Sequence, residues 1–143
     1  MKFIKTQDHN SIIPFYRENS LEVSDNIIAE DGAVVSFVLQ NDNKITAAAT
    51  LSHRLGVYIL DYIAVDVSLR RDGVGAKILG EILKEARLLG ADKVYLTAKA
   101  PKFFKSQGFY EGSPKGLDMN ADCVGCPEFD NGCTKLPMVI DLK

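Results

Sequence analysis

Nine residues, Val57-Tyr58-Ile59-Leu60-Asp61-Tyr62-Ile63-Ala64-Val65, are nearly all apolar, and shortly after them the hydrophobic pattern changes to that of a helix. A strand apolar on both faces belongs in the middle of a covered sheet. Beyond it Val74, Ile78, Leu79, Ile82, Ala86 and Leu89 recur at three- and four-residue steps, with Lys77, Glu81, Lys84, Glu85 and Arg87 between them, and Gly90 follows as a stop. The join between the two is Arg70-Arg71-Asp72-Gly73-Val74-Gly75-Ala76. Glycines at a strand-to-helix turn permit unusual dihedrals and close backbone approach, while the helix start offers unpaired N–H groups and the positive end of its dipole. Such a turn suits a phosphate. Arg70 and Arg71 add paired N–H donors of the kind that recognise phosphate oxygens. The spacing matches neither the G-x-G-x-x-G fingerprint, because position 78 is Ile, nor G-x-x-x-x-G-K-S/T.

Composition bounds the rest. A chain of 143 residues, 46% apolar and 25% charged, fits one domain spanning 1–143 with its own core. Seventeen Lys+Arg against nineteen Asp+Glu leave a net charge of −2, so no global basic field is present to hold nucleic acid or an anionic membrane. The longest apolar runs are too short to span a bilayer. The N-terminus turns polar before a signal-peptide core could develop, which points to the cytoplasm. Three cysteines, an odd number confined to Cys123, Cys126 and Cys133, make a poor disulfide framework.

Elsewhere the pattern reads as a short strand at Phe3–Thr6, a helix carrying Ile12, Ile13, Phe15 and Tyr16 with Pro14 in its first turn, and a hairpin of Ala33–Gln40 with Ile45–Leu51 across Asn41-Asp42-Asn43-Lys44. Ser52 to Gly56 reads as a second turn. Lys93–Ala98 is a strand, Ala100–Gln107 a short helix ended by Gly108, and Leu136–Leu142 a closing edge strand, since Pro137 cannot donate to a ladder. Strands and helices mix without strict alternation, which favours an α/β (α+β) fold with a mixed, mostly antiparallel central sheet flanked by helices.

Arg70, Gly73 and Gly75 fill the motif Q/R-x-x-G-x-G/A, preceded by Ile63-Ala64-Val65-Asp66, and the segment Thr97 to Phe109 ends in Phe103-Phe104-Lys105-Ser106-Gln107-Gly108-Phe109. In these features, over roughly Ile45 to Phe109, the chain resembles the GNAT superfamily of acyl-CoA-dependent N-acetyltransferases. The resemblance implies acetyl-CoA as co-substrate. It implies that Arg71, Asp72, Gly73, Val74, Gly75 and Ala76, with Arg70, hold the CoA pyrophosphate, that Ile63, Ala64 and Val65 bind the pantetheine arm, chiefly through the main chain of Ile63 and Val65, and that Phe103 and Phe104 complete the cofactor site. The tail, with Cys123-x2-Cys126-Pro127 and Met138, resembles amino-acid N-acetyltransferases of the N-acetylglutamate-synthase-like group. That similarity implies a small amine acceptor, an amino acid among the options, attacked directly on the thioester. Dimers are common among proteins of this kind.

Direct transfer needs a deprotonated amine, a polarised carbonyl and a proton for the departing thiolate. Where many relatives carry Glu, this chain has Ile59, and Asp61, two residues on along the same face, is the candidate base or water-positioner. Where relatives carry a tyrosine acid, Phe104 stands and cannot donate. Tyr62, Tyr95 and Tyr110 are nearby in sequence. His53 and Arg54 are placed in a turn, where solvent exposure is the ordinary state, although Arg54 could meet a substrate carboxylate. His9 reads as a polar residue at a helix start. The cysteine cluster leaves three readings open: a metal site lacking a local fourth ligand, a thiol sensor, or reduced thiols on a loop near the acceptor. Two rival functions also stay open, a non-catalytic acyl-CoA sensor and a metal or redox module.

Overall fold

Two tight hairpins build the centre of the sheet. The computed structural model describes residues 2–69, 72–114 and 136–142. Strand β2 (Ala33–Asn41) turns into β3 (Lys44–Arg54) through Asp42 and Asn43, both at positive φ, and β3 turns into β4 (Val57–Val65) through Leu55 and Gly56. Such two-residue turns match the twist of the strands they join. They fix the register Phe37↔Ala49 and Ala49↔Ile63 across three strands. The second turn is shorter than the sequence suggests. Ser52, His53 and Arg54 pair with Ile59, Tyr58 and Val57, so they belong to β3 and not to a loop.

With β1 (Phe3–Thr6), β5 (Lys93–Ala98), β6 (Tyr110–Glu111) and β7 (Leu136–Asp141), the described residues form one seven-stranded sheet in the order β1-β2-β3-β4-β5-β7-β6. Every pairing is antiparallel except β4 with β5. The expectation of a mixed, mostly antiparallel sheet is met. The placement of the last strand is corrected: β7 lies between β5 and β6 and is not an edge. Pro137 is tolerated there because its carbonyl accepts from Gly112 N–H at 3.0 Å, beyond the end of the two-residue β6. Its donorless nitrogen faces that same short neighbour, and the ladder to β5 loses nothing.

Helices cover both faces. On one side α2 (Val74–Leu88) buries Val74, Ile78, Leu79, Ile82, Leu83 and Ala86 against Phe37, Ala49, Leu51 and Leu60, and α3 (Pro101–Ser106) adds Phe104. The large strand residues face small ones on β3, which lets α2 seat closely. On the other side the helical segment at Ile12 to Glu18 begins as a 3-10 turn (His9–Ile12) and becomes α1 (Ile13–Glu18), with Pro14 in its first turn. It packs Ile12, Phe15 and Tyr16 with Ile27 on Val38, Ala48, Tyr62 and Ala64. No described helix is long and apolar enough to cross a membrane.

Candidate functional site

The parallel neighbours β4 and β5 touch at one register pair, Ile59↔Tyr95, and then part. A cavity of about 850 Å³ opens between them, lined by Leu60 to Val65 on one strand and by Leu96 and Thr97 on the other. Its size falls in the range of small-molecule and cofactor sites. A bulge shapes the β4 wall. Thr50 pairs with Tyr62 and Leu51 with Leu60, so Asp61 is an extra residue opposite no partner. Bulges re-aim side chains and bend strands.

At one end of the cavity lies the glycine turn. Gly73 caps α2 with φ +73°, in the left-handed region, and a Cβ there would meet nothing within 4 Å. The turn therefore requires glycine for its backbone, and its outer face is open. No side chain caps the helix, and the first N–H to find an intrahelical partner is that of Lys77, bonded to Gly73 O at 3.2 Å. The N–H groups of Val74, Gly75 and Ala76 precede it, and none has a hydrogen-bond partner among the described residues. Gly75 is less constrained: a Cβ on it would lie 3.4 Å from the Phe103 ring and 3.8 Å from Val65, ordinary contact distances beside the cavity.

Of the residues expected at a cofactor site, Ile63, Ala64, Val65, Gly73, Gly75, Ala76, Phe103 and Phe104 line this cavity, as does the candidate base Asp61. Val74 is not among them, because its side chain is fully buried in the core. Asp72 stands exposed, with its N–H already donated to Leu69 O. Arg70 and Arg71 lie outside the described residues, as do Cys123, Cys126 and Cys133.

The other end is built from side chains. Asp61 receives a two-pronged ion pair from Arg54, Nη1 to Oδ2 at 2.5 Å and Nη2 to Oδ1 at 2.9 Å. Burial pushes its carboxyl above the usual range, against the pull of Arg54. The Arg54 guanidinium is thus engaged with Asp61, and its Nη1 also donates to Asp31 O. Tyr62 donates its hydroxyl to Asp31 Oδ2 at 2.5 Å, and burial followed by that carboxylate raises its pKa. Its ring stacks on Tyr16 with centroids 5.0 Å apart. Behind them runs a buried polar chain: Tyr16 hydroxyl to Thr50 Oγ1 at 2.7 Å, Thr50 to Ser36 Oγ at 2.8 Å, and Ser36 to His9 Nδ1 at 2.6 Å.

His9 stands at the helix start, as its position suggests, but is a core residue, 2% exposed. Burial lowers its pKa, opposed by Asp8, and its Nε2 has no hydrogen-bond partner among the described residues. His53 lies exposed on β3 with its ring against Tyr58, away from the cavity lining. Tyr110 is bonded to Asp141 on the sheet's far edge, and Tyr95 does not line the cavity either. Among the three tyrosines only Tyr62 does. Phe104 is packed edge-on between Phe103 and Phe109.

Sequence reasoning missed the wall formed by Asn19, Ser20, Leu21 and Glu22 after α1, and it missed Lys99, Gln107 and Asp31. Apart from Gln107, which stands in the Phe103 to Phe109 segment, none of these sits in a motif. Their roles come from the approach of distant segments.

The profile of the Acetyltransferase (GNAT) family matches residues 5–111. Among solved structures, N-acetylglutamate synthase from Neisseria gonorrhoeae, complexed with coenzyme A and N-acetyl-glutamate, is similar with a TM-score of 0.74 at 20% identity. The likeness covers 100% of this chain and 36% of that one, so this chain spans about a third of that protein. An IAA acetyltransferase from Bacillus cereus is similar with a TM-score of 0.72 at 17% identity, covering 98% of this chain and 99% of its own. Rv2747 from Mycobacterium tuberculosis, in complex with CoA and NLQ, has a TM-score of 0.68 at 20% identity, covering 98% and 99%. At these identities the likeness is one of fold. No curated protein matches the chain.

Proposed function

The chain belongs to the acetyltransferase (GNAT) family, and on that footing we propose that it moves an acetyl group from acetyl-CoA to the amine of a small molecule, an amino acid being the first class to try. The observation that carries this reading is one cavity lined both by the start of α2 and by Asp61, between the parted strands β4 and β5. Its donor end fits a pyrophosphate: left-handed Gly73 leaves an open face, and three backbone N–H groups precede the first helical hydrogen bond. Ile63 and Val65, both lining the cavity, would offer their main chain to the amide-bearing pantetheine arm, which would add to β4 where β5 has left it. Arg70 and Arg71 would bring positive charge to the same turn.

Acetyl-CoA supplies the activated acyl group. The amine nitrogen attacks the thioester carbonyl, the new C–N bond forms as the C–S bond breaks, and Asp61 takes the proton the nitrogen sheds, directly or through a water. With Phe104 in the α3 position where a phenol would stand, the leaving sulfur departs without a donor from that helix and takes its proton from solvent. The fold neighbour solved with coenzyme A and N-acetyl-glutamate supports both ends of this assignment by analogy.

The test is release of free CoA from acetyl-CoA over a panel of amino acids and polyamines. One amine should give acceptor-dependent turnover, and Asp61→Asn should lower kcat by about 10²–10⁴-fold while CoA still binds. Saturable CoA binding with no acceptor-dependent release would instead support a non-catalytic acyl-CoA-binding module.

A further inference from the structure

Arg54 ends β3, immediately before the two-residue turn into β4, where an arginine side chain ordinarily extends into water. Instead its guanidinium folds back over the sheet and leaves its side chain 27% exposed. Both arms grip Asp61, and Nη1 also reaches the Asp31 carbonyl at 3.0 Å. Asp31 is held in turn. Its carboxylate accepts from the Tyr62 hydroxyl and from Ser24 Oγ at 3.1 Å. Asp61 and Tyr62 are the consecutive residues of the β4 bulge, and one loop residue anchors both, the first through Arg54 and the second directly.

A bulged residue has no cross-strand partner to fix its side chain. We propose that Arg54 is a positioning residue for acetyl transfer, holding the Asp61 carboxylate ionised and aimed at the bulge with Asp31 as the anchor of its guanidinium. The proposal rests on the reading of Asp61 as proton acceptor. A fork-shaped pair is suited to this task, because a carboxylate has about four lone-pair sites and the guanidinium takes one on each oxygen, leaving each oxygen able to accept again.

The groups facing Asp61 are Arg54 and Ser52 of β3, Asp31 from the loop before β2, Tyr62 of its own strand and Tyr16 of α1. Ser52 is fully buried, and its neutral hydroxyl favours the carboxylate less than Arg54 does and brings no charge. Two of the remaining groups are neutral phenols and Asp31 is an anion, so within this set the positive charge comes from Arg54. Burial disfavours a carboxylate, and a nearby anion disfavours it further. Without the guanidinium, Asp61 would keep its proton to higher pH and, below that pH, could not take one from the amine.

Two substitutions separate charge from aim. Arg54→Gln removes both; Arg54→Lys keeps the charge and loses the planar fork. The Asp61 carboxyl is followed by ¹³C NMR, assigned by its loss in Asp61→Asn, and CoA release is followed against pH with the amine selected from the panel. In Arg54→Gln the Asp61 titration and the acidic limb of kcat/KM should move up together by about one pH unit or more, with KM for acetyl-CoA within twofold of the parent. In Arg54→Lys the limb should stay near the parent's while kcat falls about tenfold or more. An unmoved titration and limb in Arg54→Gln would overturn the proposal, as would a fully active Arg54→Lys. The lysine variant alone decides if the glutamine variant does not fold. Full activity in Asp61→Asn would overturn the reading of Asp61 itself, a failure distinct from that of the clamp.

Discussion

The two ends of the cavity are made from different materials. The α2 end is backbone: a left-handed glycine, the N–H groups of the first turn of α2 and the stretch of β4 from which β5 has parted. The Asp61 end is side chain, with Arg54, Asp61, Asp31 and Tyr62 tied to one another and Tyr16, Thr50, Ser36 and His9 joined behind them. A backbone site needs only a local run of sequence to specify it, since the chain need do no more than adopt one turn. A side-chain site needs residues that are far apart in sequence to converge. The first can bind the same ligand in many relatives. The second can be rebuilt for each acceptor without disturbing the first.

That division can be broken most forcefully at Gly73. Its Cβ position is open, so Gly73→Asp should fold with strain confined to the turn, while its added charge would face the site proposed for the phosphates. Affinity for CoA should drop by about a hundredfold, from like charge at a helix start and the left-handed φ together, and isothermal titration calorimetry measures it. Unchanged affinity would remove the phosphate from this turn.

The matching test on the other side is Thr50→Val, which keeps shape and deletes the hydroxyl shared by Tyr16 and Ser36. Stability in urea should fall by about 1–3 kcal/mol, the cost of leaving a buried polar group unpaired. CoA affinity should not change. If it falls too, the two ends are coupled through β3 and β4 and the contrast is less sharp than drawn here.

The smallest effect is expected at His9. Its folded pKa lies below 6.5, so the folded state favours the neutral ring, and the stability this confers is full above 6.5 and is lost as pH falls through 6.5 toward the folded value. Melting temperature should therefore drop between pH 7.5 and pH 5.5, and His9→Gln should flatten part of that drop. A parent whose melting temperature does not change over that interval would show that the buried ring does not resist protonation.

Legibility follows the same division. The strand Val57–Val65, the helix from Val74 and its glycine stop are written in periodicity, and the structure has them at nearly those bounds. The glycine turn is written in a motif. The extension of β3 through Arg54 was not legible, because Ser52-His53-Arg54 carries no β-branched or apolar signal and is held as strand by its pairing with Val57, Tyr58 and Ile59. The interior position of β7 was hidden for a related reason: Pro137 reads as an edge residue until the short β6 is seen to end beside it. Arg54 reads as a turn residue, ordinarily solvated, and His9 as a polar helix-start residue, and both are drawn inward by partners 7 and 27 residues away.

The sequence by itself determined a central apolar strand, an amphipathic helix and a glycine turn able to bind an anion, because each depends on neighbours within a few positions along the chain. Only the tertiary structure decided that β4 would part from β5 to open a cavity, that a bulge would leave Asp61 without a cross-strand partner, and that Arg54 and Asp31 would close on it. Those features arise from the register of whole strands and from contacts between segments distant in sequence, and no local pattern of residues encodes where two such segments meet.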